Sequence, residues 1–263
     1  MSELNGGPIV DERTPVRALR RPRRPKIAMA VAQQIVEEIS RNQSPPGTKL
    51  LGEKDMLTLY GVGRGTLREA LRFLEMNGVL TVKPGPGGGP VVAEPDAHDL
   101  AGTLGLFLEL NGTSFGAILE VRVVLEPAIA GMAAKSASKE VVAQIRASVD
   151  RMEANLEDLD VFLEENERFH HHVGEGSANP VFMLLIGSLD RITDGSRLGI
   201  SFPIERRRAV LKAHRDIANA IEKSDVEAAT ASMAKHVGAF RRYTLENYPG
   251  AIDALLRWGD IAP

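Results

Sequence analysis

The segment from Leu51 to Val92 constrains the fold of this chain more than any other part of its sequence. Apolar residues at helical spacing predict a short helix over Glu53–Tyr60, and Gly61 then provides a tight turn. A second helix is predicted over Arg64–Met76, followed by a hairpin whose tip is rich in glycine and proline. A helix, a turn, a second helix and a hairpin in this order are typical of a winged helix-turn-helix, which binds DNA.

The sequence on either side completes the same module. Apolar residues repeat at helical spacing from Lys26 to Asn42, which predicts a further helix ahead of the helix-turn-helix. The strands of the hairpin are predicted over Leu80–Lys83 and Val91–Ala93. The glycine run between them is not a phosphate-binding loop, because it lacks the Gly-Lys-Ser/Thr ending and no helix follows it directly.

Charge is divided unevenly along the chain. Residues 1–95 hold 14 Lys and Arg against 10 Asp and Glu, whereas residues 96–263 hold 18 against 25. A basic first third joined to an acidic remainder suggests a nucleic-acid module on a different kind of domain.

Composition excludes several classes of protein. The chain has no cysteine, so disulfides and thiolate metal ligands are excluded. No apolar run reaches the roughly 18–20 residues that span a bilayer, and the N-terminus lacks an apolar signal region. We therefore expect a cytoplasmic protein without a membrane partner.

The first 25 residues are rich in Pro, Gly and Arg. Pro22 and Pro25 interrupt any helix there, so residues 1–25 predict a disordered basic arm. Such an arm either contacts DNA phosphates and adds a salt-dependent increment to binding, or is only a solvated tail.

Beyond the winged domain, expected over residues 26–95, the pattern is helical without a credible strand. Residues 96–250 are expected to form a helical effector-binding and dimerisation domain, and residues 251–263 a C-terminal tail. The predicted helices cover residues 97–110, 113–135, 138–157, 159–174, 180–198, 204–222 and 225–247. The fold class is therefore mainly α, with an N-terminal winged helix-turn-helix and a C-terminal all-α helical bundle.

The start of the second helix carries the candidate DNA-reading residues. In a helix-turn-helix this part of the helix faces base edges in the major groove. Arg64 begins the helix and Arg68 lies one turn further on the same side, where an arginine can form paired hydrogen bonds to guanine. Thr66 can reach a phosphate or a base, and Lys54 suits a phosphate. The alternative is that the arginines are only the solvated face of an amphipathic helix.

The segment from Gly61 to Leu71 reads GVGRGTLREAL and resembles the signature of the GntR family of regulators. In that signature a Gly-Val-Ser-Arg turn precedes a Val/Leu-Arg-Glu-Ala-Leu helix. The resemblance implies DNA contacts from Lys54, Arg64, Thr66, Arg68 and the wing glycine Gly85. Pro84 stands where the family often has a polar residue, so a side-chain hydrogen bond is absent at that point.

All six histidines lie beyond the expected winged domain, within residues 96–263. Asn166 and His170 share one helix face at positions i and i+4, and His214 and His236 lie on two further predicted helices. Three helices could point these donors into a common interior, as metal sites in helical bundles do. Zinc, nickel or manganese accepts nitrogen and oxygen donors of this kind. Spacing alone leaves hydrogen-bonded core histidines as the alternative.

Four segments of this half resemble the FCD ligand-binding domain of FadR-type GntR regulators. They are Glu120–Glu126, Phe162–Pro180, Lys212–Ile221 and Met233–Val237. The resemblance implies a metal site formed by an Asp or Asn and three histidines, here Asn166, His170, His214 and His236. It also implies that Arg122 binds the carboxylate of an effector through two hydrogen bonds. The alternative for Arg122 is a surface salt bridge with Glu126 at i+4.

Two departures from the family pattern affect the expected metal site. Asn166 is neutral, so the charge of a divalent metal would favour an anionic effector or hydroxide in the open positions, and metal affinity should be weaker than with Asp. Ala213 replaces the usual Glu beside His214, which removes one possible carboxylate partner of that imidazole.

Together these features predict a ligand-responsive transcription regulator and not an enzyme. We expect a homodimer, acting as a repressor, that binds a short inverted-repeat operator in double-stranded DNA and is modulated by a small carboxylate effector. Two alternatives remain: an architectural DNA-binding dimer without an effector, and a metal-dependent hydrolase, for which no general base is evident.

Overall fold

A computed structural model describes residues 24–85, 87–193 and 198–261 of the chain. The chain divides into two compact units, residues 1–94 and residues 95–263. The expected basic arm lies outside the described residues except at its end, where a helix begins at Arg24. Pro25 therefore lies in the first turn of a helix instead of interrupting one. Proline is accepted there because the missing N–H would have no partner within the helix.

The first unit has the predicted order of elements. Its elements are α1 (Arg24–Arg41), α2 (Glu53–Tyr60), α3 (Arg64–Met76), β1 (Leu80–Lys83) and β2 (Gly89–Val92). Gly61 follows α2 with a φ of 61°, the left-handed conformation that ends a helix and that glycine adopts without strain. The inner face of α3 packs against α1. Their core includes Ile35, Leu67 and Leu74.

The hairpin of this unit is antiparallel, with Leu80 paired to Val92. The second strand begins at Gly89, two residues before the predicted start, because the ladder continues through Gly89 and Pro90. A further extended segment, which the sequence analysis missed, lies beside it. Lys49 forms a bridge with Val91, and the Leu50 amide donates to the Pro90 carbonyl at 3.0 Å.

The second unit is helical. Its helices are α4 (Ala97–Leu110), α5 (Phe115–Ser136), α6 (Lys139–Ala154), α7 (Leu159–Gly176), α8 (Pro180–Ile192), α9 (Ile204–Glu222), α10 (Val226–Asn247) and α11 (Pro249–Ile252). Side-chain caps begin several of them: Asp96, Ser114, Ser138, Asp158, Asn179 and Asp225 each accept a hydrogen bond from a backbone amide of the first turn. The predicted fold class, a winged helix-turn-helix followed by an all-α bundle, is confirmed.

α5 lies at the centre of this bundle and packs against α7, α8, α9 and α10. Phe162, Phe169 and Ile217 are fully buried in the main core. This packing turns one face of each surrounding helix toward α5, and it determines which polar side chains are buried together.

The largest difference between a predicted and an observed helix end is at α8. α8 ends at Ile192, earlier than the predicted 198, and residues 194–197 lie outside the described part. The segment after Asn247 is ordered by contacts with the start of α5. The Phe115 amide donates to the Ala254 carbonyl at 2.9 Å, and the Leu256 amide donates to the Thr113 carbonyl at 3.0 Å.

Among the described residues, no helix is both long enough and apolar enough to cross a membrane.

Candidate functional site

The exposed face of α3 carries the two arginines predicted to read DNA. Because Leu67 and Leu71 face the core, Arg64 and Arg68 lie on the opposite side and are exposed. Arg68 is 70% exposed, and its Nε lies 3.3 Å from Oε1 of Glu53 on α2. An ion pair this exposed contributes little to stability, so it orients Arg68 without removing it from solvent.

The other predicted DNA contacts lie in the same unit. Lys54 is exposed on α2, and Thr66 is half-buried on α3. Gly85 lies at the tip of the hairpin with a φ of 91°, which is why glycine suits the position. Arg68 and Gly85 line one groove between α3 and the hairpin. The Lys49 side chain donates to the Gly87 carbonyl and ties the hairpin tip to the extended segment before α2.

Three histidines converge in the interior of the second unit. His170 on α7, His214 on α9 and His236 on α10 are buried. Nε2 of His236 lies 3.2 Å from Nε2 of His214 and 3.3 Å from Nε2 of His170. The sequence places these residues on three separate helices, and the fold directs the same ring nitrogen of each toward one point.

This donor set fits a divalent metal. With a metal–nitrogen distance of about 2.1 Å, two ligand nitrogens at octahedral or tetrahedral angles lie roughly 3.0–3.4 Å apart. The two observed separations, 3.2 and 3.3 Å, fall in that range. Burial and the neighbouring imidazoles lower the pKa of His214 well below its usual value and that of His236 to about 3. Both are therefore neutral imidazoles, which is the form that binds a metal.

Glu126 on α5 orients the third imidazole. Its Oε2 lies 2.6 Å from Nδ1 of His170, which leaves Nε2 of that ring facing the other two histidines. Burial opposes ionisation of Glu126, but Arg122 and His170 hold its pKa well below the usual range. Burial likewise lowers the pKa of His170, but Glu126 and Asp190 outweigh it and raise the pKa.

His214 has no such partner. Its Nδ1 is buried, and no carboxylate in the described part of the chain forms an ion pair with it as Glu126 does with His170. The preceding residue is Ala213, which has no carboxylate to offer.

Arg122 is the centre of a buried polar network. Its Nε lies 2.5 Å from Oε1 of Glu126, one terminal nitrogen lies 2.6 Å from Oδ1 of Asp190, and the other donates to Oγ1 of Thr193 at 2.7 Å. The salt bridge with Glu126, which the sequence offered as a surface contact, is present but buried. Burial raises the pKa of Asp190 to about 6 although Arg122 opposes that rise.

A cavity of about 130 Å³ adjoins both the histidines and this network. Its polar lining consists of Arg122, Glu164, Asn166, Glu167, His170, Asp190, Thr193, Arg206 and His236. Leu119, Phe202 and Phe240 are among its apolar walls. Because an apolar cavity of about 150 Å³ holds a molecule of the size of benzene, this space suits a small ligand with one polar end.

The structure thus brings most of the predicted metal ligands close together. Three of them, the histidines, converge, and Asn166 lines the cavity beside His170. Sequence reasoning missed Asp190, Thr193 and Arg206. The first of these had a signal, because Asp190 is a carboxylate on α8, whose sequence is otherwise mostly apolar.

Comparison with known proteins finds the same two modules. The family profile described as "Bacterial regulatory proteins, gntR family" matches residues 27–88, and the profile of the FCD domain matches residues 117–239. The HTH-type transcriptional regulator YcbG of Bacillus subtilis is 28% identical over 216 residues, covering 81% of this chain and 88% of that protein. The HTH-type transcriptional repressor NanR of Enterobacter sp. is 25% identical over 221 residues, covering 82% and 84%.

A solved structure has the same fold. Streptococcus agalactiae GntR superposes with a TM-score of 0.64 at 24% sequence identity, covering 82% of this chain and 99% of that one.

Proposed function

We propose a mechanism of regulation for this chain. It belongs to the GntR family of bacterial regulatory proteins and carries an FCD domain, so it is a transcription regulator and not an enzyme. The first unit binds an operator in double-stranded DNA. A small carboxylate effector, held over a divalent metal in the second unit, alters that binding. We further propose that the chain belongs to the FadR-type subgroup and acts as a repressor. We propose the cytoplasm as its location, because chromosomal DNA is found there.

The exposed arginines support the DNA-binding part. Arg64 and Arg68 lie in the first two turns of α3, where a helix-turn-helix presents its base-reading residues. Neither has a buried partner in the part of the chain that the structure describes. Lys54 and the hairpin tip at Gly85 supply backbone contacts, which set the register on the duplex without reading sequence. Thr66 is placed to contact either a phosphate or a base.

Exposed apolar residues support a homodimer. Phe107 and Leu110 on α4 and Val124 on α5 are exposed in the single chain. Covering such residues in a symmetric interface would bury apolar area, and a two-fold dimer would read an inverted repeat as two half-sites.

The observation that carries the effector part is the convergence of His170, His214 and His236 at the wall of a cavity. Zinc, nickel or manganese bound there, with Asn166 as a further ligand, would supply a Lewis acid for an anionic oxygen of the effector. The chain itself contributes the orientation of His170 through Glu126 and the apolar walls that enclose the body of the ligand.

Arg122 contributes a further polar group to the cavity wall. Each of its three nitrogens already has one partner. Because a guanidinium carries five N–H donors, two N–H groups remain for an effector carboxylate. We therefore assign Arg122 two roles, holding Glu126 and Asp190 in place and binding the effector.

Metal analysis of the purified full chain tests this proposal. We expect about one equivalent of divalent metal in the parent protein and almost none in the double variant His214→Ala/His236→Ala. A matched control, His171→Ala/His172→Ala, removes two histidines of α7 that lie outside the cluster and should keep the metal. Equal metal in all three proteins would contradict the site.

A further inference from the structure

No described residue supplies a counter-charge to one cation in the cavity wall. Arg206 lies in the first turn of α9 and lines the same cavity as His170, His236 and Arg122. Its Nε is buried and has no hydrogen-bond partner within residues 24–85, 87–193 and 198–261. Nor does any carboxylate of those residues form a salt bridge with it. The two arginines of the cavity therefore differ, because Arg122 is neutralised by two acids of the chain.

The surroundings of Arg206 favour an anion. Its guanidinium carbon lies 4.7 Å from the centre of the Tyr243 ring and 6.0 Å from that of Phe240, so aromatic faces hold it in place. Burial lowers the pKa of Arg206, Tyr243 opposes that change, and Arg242 adds to it. The first turn of a helix is also the positive end of its dipole.

Glu164 and Glu167 also line the cavity but are exposed, and neither forms an ion pair with Arg206. A half-buried cation without a counter-charge is unfavourable unless a negative charge reaches it. Aromatic stacking positions the guanidinium but does not neutralise it. Arg206 lines this cavity and also a second pocket between α9 and α10. In the cavity, a ligand would supply the missing charge.

We propose that Arg206 is a second anion-binding group of the effector cavity, and that the effector is a short dicarboxylate. One carboxylate lies at the end formed by the histidines and Arg122, and the other pairs with Arg206. This inference rests on the proposed function, since it assumes that the cavity binds a carboxylate. The volume of about 130 Å³, roughly four times the volume that one water molecule occupies in the liquid, suits a chain of about four carbons.

This arrangement gives the cavity a basis for selectivity. A monocarboxylate of the same length fills the apolar space and satisfies one end, but it places a methyl group against Arg206. Specificity is the difference between the two binding free energies, so an unpaired buried cation disfavours the monocarboxylate. A bidentate pair between guanidinium and carboxylate favours the dicarboxylate.

Calorimetric titration of the zinc-loaded full chain with succinate and with butyrate, which both have four carbons, tests the proposal. We expect succinate to bind at least tenfold more tightly than butyrate. Arg206→Gln should remove that preference by weakening succinate alone. The matched control is Arg208→Gln, which removes an exposed arginine of the same helix that is not part of the cavity wall. It should behave as the parent does.

The outcomes separate the two proposals. A preference for succinate that survives Arg206→Gln, or equal affinity for the two acids in the parent, overturns the role of Arg206 but leaves a carboxylate-binding cavity. Failure of the parent to bind mono- and dicarboxylates of two to six carbons overturns the proposed effector class as well. The thermal unfolding midpoint of ligand-free Arg206→Gln should match that of the parent. A lower midpoint together with weaker binding of both acids would mean that the loss of affinity comes from impaired folding, and it would count against the proposal.

Discussion

The arginines of α3 and the arginine at the centre of the cavity occupy opposite environments. The side chain of Arg68 is 70% exposed with one weak ionic partner, whereas that of Arg122 is 9% exposed and has three polar partners. The same side chain is thus held loosely in one unit and rigidly in the other. An arginine that reads DNA gains its partners only on binding, while a buried arginine must have them in the folded chain.

The difference teaches how the two regions respond to substitution. Loss of an exposed arginine should weaken an interaction with an outside partner and leave the fold intact. Loss of the buried arginine should leave the neighbouring carboxylates buried without a counter-charge. The four predictions below test this contrast, from the largest expected effect to the smallest.

Arg122→Ala should destabilise the helical unit by about 3–5 kcal/mol, because it leaves Glu126 and Asp190 buried without their cation. Denaturant unfolding of the full chain, followed by circular dichroism, measures the change. Arg64→Ala is the matched control and should change the free energy of unfolding by less than about 0.5 kcal/mol. The contrast between the regions is wrong if the two variants are equally stable.

Arg68→Ala should weaken binding to an operator duplex by about 1–3 kcal/mol and reduce discrimination between bases, since a lost bidentate contact to guanine costs about that much. Anisotropy titrations with matched and mutated duplexes provide the measurement. Arg72→Ala, which removes another exposed arginine of α3, should change affinity without changing base preference. Unaltered base preference in Arg68→Ala would remove that residue from the reading surface.

Glu126→Gln should lower metal affinity about 10–100-fold, because the carboxylate that orients His170 is lost. Competition with a chromophoric chelator reports the affinity. Glu175→Gln, which alters the acid next to His172 outside the cluster, should have no effect. If both variants keep the parent affinity, Glu126 does not support the metal site.

Glu53→Gln should produce the smallest change, about 0.2–1 kcal/mol in the stability of the first unit. The effect should shrink in high salt, because the ion pair with Arg68 is exposed. Thermal unfolding at low and high ionic strength checks both statements. A large, salt-independent loss would show that Arg68 is held more firmly than its exposure implies.

The fold was accessible from sequence wherever signals were local. α2 and α3 lie where they were predicted, because Gly61 and the apolar spacing mark their ends. The bridge of Lys49 to Val91 was not accessible, since a single pairing between distant residues leaves no periodic pattern. The end of α8 was placed too late for a related reason, because no glycine or proline follows Ile192 directly.

The site was accessible in part. Spacing placed the histidines on three helices, and the resemblance to FCD domains selected His170, His214 and His236. Their convergence depends on how those helices turn around α5, which no short motif encodes. The sequence did not predict Asp190 and Arg206 as site residues, because each lies in a stretch that carries no motif. Their role follows from their position in the cavity wall.

The central claim is that the cavity controls the DNA-binding unit, and one titration tests it most directly. The affinity of the zinc-loaded full chain for a duplex selected from a random pool is measured with and without saturating small carboxylic acid. The account predicts a change of about 5–150-fold in the parent, the usual range of coupling between two sites, and none in His214→Ala/His236→Ala. An acid that binds the parent yet leaves its DNA affinity unchanged, or that shifts both proteins equally, would contradict the account.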